Sequence, residues 1–211
     1  MLKNKVVLRN MKIYERIKPH LKVMQSNLGR LMSPCNSRFL IVPPLVTVLM
    51  WIILANGVIK LEKPPLEIAA VVVSGLFMVI AAVRFISSRH VFFLWSTALF
   101  LLIMCREIHF EGTDEAIFIG LLILLGVVLL EYDRLKDYLA NPWVINSLVV
   151  GFFIYFLSQT VDQRWWRGLP AEENVFVPLE ETLELLGHCV IGVAVVLCRA
   201  YKPANPRIPS A

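Results

Sequence analysis

The sequence has no CxxC pair. Cys35, Cys105, Cys189 and Cys198 stand apart, and at least two lie within apolar runs. That excludes a zinc ribbon and offers no disulfide framework, so the cysteines read as small residues compatible with apolar surroundings. The four histidines form neither HExxH nor HxxxH, so no zinc motif can be read from spacing alone. The basic residues lack the aromatic and glycine pattern of a nucleic-acid module, which leaves nucleic acid out as a partner. The first 38 residues carry nine Lys or Arg and no continuous apolar core. No cleavable signal peptide is therefore expected, and the first membrane segment would serve as an uncleaved signal.

What is present is apolar surface. The 211 residues are 57% hydrophobic with a mean hydropathy of +0.67, which at this length predicts an all-α polytopic membrane bundle and leaves no room for a soluble domain. Six spans are expected near Phe39–Ile59, Leu66–Ile86, Val91–Glu111, Asp114–Leu130, Trp143–Val161 and Pro178–Arg199. They divide the chain into a cytoplasmic segment, 1–38, a six-helix transmembrane domain, 39–201, and a cytoplasmic tail, 202–211. Short connections favour antiparallel hairpins. In the first segment Val7, Met11, Tyr14, Ile17, Leu21, Met24, Leu28 and Leu31 recur every three or four residues. This predicts a basic amphipathic helix on the anionic leaflet, divided at Pro19 and ended by Pro34, or a partner-docking segment over residues 1–33.

Charge placement sets the orientation. With the N-terminus inside, 16 Lys or Arg fall on the cytoplasmic side, and only Lys60, Lys63, Arg106, Arg164 and Arg167 fall opposite, so both termini are expected inside. The acids run the other way, with 12 of 16 on or near the outer side. Acidic residues contribute little to topology, so that concentration needs a use.

Most of it lies in the last span. After His188 only Cys189 to Cys198 are free of charge, about 15 Å of helix against a ~30 Å hydrocarbon core. The polar half must therefore enter the bilayer. Glu180, Glu184, His188 and Glu181 fall at about 0°, 40°, 80° and 100° around the helix and share one face, while Pro178 suits the first turn. A second cluster runs from Cys105 through Arg106, Glu107, His109, Glu111 and Gly112 to Asp114, with Gly112 supplying a turn and Thr113 an N-cap. On the third span Arg106 and His109 point about 100° or more from Glu107 and Glu111, so the four cannot meet at one point. Glu107 and His109 are expected at the two edges of a cleft.

Imidazoles plus carboxylates form an inventory that suits a divalent metal such as zinc, with His109, Glu181, Glu184 and His188 as candidate ligands. Glu107, His109 and Glu184 are the candidate acid–base residues. Arg106, Arg167 and Trp166 are candidate binders of an anionic headgroup. The plainer alternative is an ion-pair network in which Arg106 or Arg167 neutralises carboxylates of the last helix while His188 bonds a neighbour. Trp165 and Trp166 also read as an interfacial aromatic belt.

Arg106-Glu107-Ile-His109-Phe-Glu111, followed later by Glu180-Glu181-Thr-Leu183-Glu184-Leu185, resembles a pattern in a group of small multi-pass bacterial inner-membrane proteins. The resemblance covers the third to sixth spans and implies a bacterial inner-membrane bundle; it brings no activity with it. The chain is also similar to alkaline ceramidases and adiponectin receptors in gathering metal-ligand residue types among membrane helices. It departs from them in having six spans rather than seven and no paired histidines in a late helix. The functional expectation is a metal-dependent enzyme acting on a lipid or lipid-linked substrate from an outward cavity. A proton- or cation-coupled carrier, a non-catalytic assembly subunit and a haem protein using His109 and His188 are the alternatives.

Overall fold

The protein was analysed as a computed structural model that describes residues 2–108, 113–169 and 172–200, without the side chains of 2–14, 16, 113–116, 118, 172 and 173. Among the described residues it is all-helical. The helices are α1 (Leu2–Met32), α2 (Val42–Ala55), α3 (Lys63–Ser88), α4 (Val91–Glu107), α5 (Thr113–Leu130), α6 (Tyr132–Leu139), α7 (Pro142–Asp162) and α8 (Glu172–Leu197). A 3₁₀ segment, Ser37–Ile41, leads into α2.

Three of these stretches, Ser37–Ala55, Lys63–Ser88 and Pro142–Asp162, are long and apolar enough to cross a membrane. The chain is accordingly a helical membrane protein. α4 has 17 residues, about 26 Å of helix, and α8 carries its carboxylates within its length. α3 shows the expected lipid face: Ile68, Val72, Leu76, Val79, Val83 and Ile86 are all exposed and recur at helical spacing.

Proline sets several helix starts. Pro43-Pro44 and Pro64-Pro65 occupy the first turns of α2 and α3, where a missing N–H has no intrahelical partner to lose. Two expectations about proline fail. Pro19 lies inside a continuous α1 rather than dividing it, and Pro178 lies in the second turn of α8, which begins six residues earlier at Glu172. In each case the cost is one backbone hydrogen bond near exposed residues, which a long helix can absorb.

The order of helices is up and down, with α8 packed against α2, α3 and α7. Small residues permit close approach. A Cβ on Gly192 of α8 would overlap the Phe77 ring of α3, and one on Gly151 of α7 would meet Ile191. At the far end of the bundle Arg84 donates to the carbonyls of Val196 at 2.8 Å and Cys198 at 3.0 Å, satisfying acceptors that the end of α8 leaves open. Trp95 Nε1 donates to the Leu124 carbonyl at 3.1 Å and joins α4 to α5.

α1 docks through its last turns. Asn27 Nδ2 donates to the Leu129 carbonyl at 2.9 Å, and Arg30 pairs with Asp133 of α6 at 2.9 Å. Leu31 is buried, while Ile17, Leu21 and Leu28 stay exposed. α6 was not anticipated from sequence. It is a short helix that buries Tyr132, Leu135 and Leu139 and keeps its charges outward.

Candidate functional site

The ends of α4 and α7 meet the starts of α3 and α8 at one end of the bundle. Consecutive residues of α4, Arg106 and Glu107, both reach α8, because their targets Glu184 and His188 are one turn apart on a single face. Arg106 and Glu107, expected about 100° apart around α4, thus meet different residues of the same helix.

Glu184 is 5% exposed, and one of its oxygens gathers three donors. Arg106 pairs with it through Nη2, Ser158 Oγ donates at 2.9 Å and Gln159 Nε2 at 3.3 Å. The ion-pair network read from the sequence is correct for Arg106 and Glu184.

His188 is 0% exposed. Its Nδ1 contacts the carbonyl of Glu184, and since a carbonyl can only accept, Nδ1 carries the hydrogen. Nε2 lies 3.5 Å from Glu107 Oε1, an electrostatic contact too long for a strong hydrogen bond. The Tyr155 ring packs beside His188 at 5.4 Å between centroids. Gly187 makes that room, since a Cβ there would meet the Tyr155 ring at 3.0 Å.

Glu181 turns away from this pair. Lys63 Nζ, at the start of α3, bridges Glu181 at 3.1 Å and Glu67 at 3.2 Å. The four polar residues of α8 share a face, as expected, but that face is divided among three neighbours: Glu181 meets α3, Glu184 meets α4 and α7, and Glu180 looks into a cavity.

That cavity, about 720 Å³, lies between α4, α5, α7 and α8 and includes Arg106, Tyr155, Gln159, Asp162 and Glu180 in its wall. The Tyr155 hydroxyl is buried and has no hydrogen-bond partner among the described residues. Leu121 and Phe152 are shared with a second cavity of about 440 Å³, whose lining of Leu31, Trp95, Leu125, Leu148 and similar side chains is almost wholly apolar. The two adjoin at these residues, the first with charged and polar side chains in its wall where α7 finishes and the second apolar toward α1 and α6.

The candidate residues therefore separate. Arg106 lines the cavity, while Glu107, Glu184 and His188 stand behind its wall. Glu180, not among the residues first singled out for chemistry, is the carboxylate of α8 that reaches the cavity, where Asp162 of α7 joins it; its place about 40° from Glu184 on the same helix face was the available signal. Arg167 is exposed. Trp166 stacks on Trp51 at 6.0 Å and donates its indole N–H to Thr160 Oγ1 at 3.0 Å, so that donor is already used. Of the aromatic-belt pair only Trp165, 71% exposed, has the expected outward placement. His109, Glu111 and Gly112 lie outside the described residues, as do the side chains of Thr113, Asp114 and Glu115.

The described part of the candidate metal set does not fit a metal centre. Glu181 is held by Lys63 and Glu184 by Arg106, so cations of the protein itself occupy the positions where a metal would bind. Among the described residues no three His, Cys, Asp or Glu side chains converge as ligands.

The chain is a helical membrane protein with a cleft of two adjoining cavities, one with charged side chains in its wall and one apolar. No family model, curated protein or solved structure matches it.

Proposed function

We propose that this chain is a six-span protein of a bacterial inner membrane, with both termini cytoplasmic, that binds an amphiphile in the cleft and acts on it by acid–base chemistry. The observation that carries the reading is that the two cavities share Leu121 and Phe152 in their walls, so that a polar and an apolar chamber lie side by side, an arrangement suited to a lipid or lipid-linked substrate. Arg106 and Tyr155 would supply hydrogen-bond donors, and Glu180 the general base in contact with substrate. Glu107 and His188, behind the wall, are positioning residues.

A carrier would need a polar path past His188. α8 continues instead through Ile191, Ala194 and Val195, all apolar and buried, which favours a site that opens at one end.

Extraction of the purified protein in native-lipid nanodiscs, followed by mass spectrometry, tests the reading. A co-purifying amphiphile depleted in Leu125→Trp, which fills the apolar part from α5, is the expected result; equal amounts in both proteins would overturn it. Turnover of extracted membrane lipids should fall at least about 100-fold in Glu180→Gln. Elemental analysis of the same samples checks the metal reading: stoichiometric metal lost in His188→Ala would restore it.

A further inference from the structure

The charge of the cleft says which headgroup it takes. Arg106 is the cation in the polar wall among the described residues, and its charge is already balanced by Glu184. Glu180 and Asp162 line the same wall without a salt bridge to a basic residue in the contacts described; Lys63, which acts on Glu180 from a distance, is already held by Glu181 and Glu67. The surrounding walls include the aromatic rings of Phe152, Tyr155 and Phe156. An anionic headgroup would face two carboxylates and a guanidinium that is already paired. A cation would meet two carboxylates and aromatic faces, the combination by which proteins bind ammonium groups.

Resting on the reading of the cleft as an amphiphile site, we propose that its ligand carries a cationic head, an amine or quaternary ammonium, with a long apolar tail. The head lies between Glu180, Asp162 and the aromatic rings. The tail crosses Leu121 and Phe152 into the apolar cavity toward α1. This reverses the expectation that Arg106 and Arg167 hold an anionic group.

The test uses full-length protein in nanodiscs, with empty nanodiscs subtracted, and three probes that share a 16-carbon chain: hexadecyltrimethylammonium, hexadecyl phosphate and hexadecyl maltoside. Saturable binding of the ammonium probe roughly tenfold tighter than the other two is expected, with that preference lost in Glu180→Gln and reduced in Asp162→Asn. Leu125→Trp should weaken all three probes together. Equal affinity for the three heads, or tighter binding of the phosphate, would overturn the cationic headgroup while leaving the amphiphile site standing. No saturable binding of any probe would overturn both. Thermal unfolding of each variant separates lost binding from lost folding.

Discussion

At the scale of single residues, the centre rests on Arg106 and Glu184. Both are largely buried, so removal of one leaves the other as an uncompensated charge. Arg106→Ala should lower stability by about 3 kcal/mol or more, seen as a reduced thermal midpoint in detergent. Arg106→Ala with Glu184→Gln should recover part of that loss, because the double variant leaves no buried carboxylate unpaired. An additive double variant would show that the pair is not coupled. This partnership was half legible in the sequence. A carboxylate in an apolar helix demands a partner, and Arg106 was one of three arginines on the correct side, yet helical angles alone could not choose between Arg106 and Arg167. The choice required the crossing of α4, α7 and α8, which also brings Ser158 and Gln159 to the same oxygen. Nothing in the spacing marked those two residues, since polar side chains at the end of a span are ordinary.

At the scale of helices, close packing of α8 depends on glycine. Gly192→Ala would place a methyl group on the Phe77 ring and force α3 and α8 apart, at a cost of about 1–3 kcal/mol, measured by thermal unfolding. Gly126→Ala is the control, because no atom lies near a Cβ there. The docking of α1 follows different physics. Arg30 and Lys136 hold the Asp133 carboxyl below its usual range. A depressed carboxylate favours the docked state above its unfolded value, about 3.9, and loses that contribution as pH falls through the lower folded value. Amide protection in the last turns of α1, taken as the intrinsic exchange rate divided by the observed rate at each pH, should therefore fall in acid more steeply than in Asp133→Asn, where the dependence is removed. The effect is small because both groups are exposed to solvent. Sequence periodicity placed apolar residues along this helix. It did not indicate that, among the described side chains of α1, those around Met24, Asn27 and Leu31 are the covered ones, since α6 was unseen.

At the scale of the whole molecule, the alternation of helices puts residues 60 and 168 at the end that holds the site and residues 89 and 137 at the opposite end. With the native cysteines replaced, Lys60→Cys and Gly168→Cys should react with a membrane-impermeant maleimide on intact cells, while Arg89→Cys and Asp137→Cys should react only after permeabilisation. Labelling of Arg89→Cys from outside would sink the proposed orientation. The sequence by itself determined that this is a helical membrane protein, because apolar runs of span length cannot be buried in a chain of this size without lipid. It also determined that the acids of α8 must turn inward, because charge is costly against hydrocarbon. Only the tertiary structure decided where each acid goes. Glu181 to Lys63, Glu184 to Arg106 and Glu180 to the cavity are contacts between distant parts of the chain, set by which helices cross and how closely their glycines let them approach. Helical periodicity fixes the face on which a residue lies, whereas the neighbour that face meets depends on packing that no local pattern encodes.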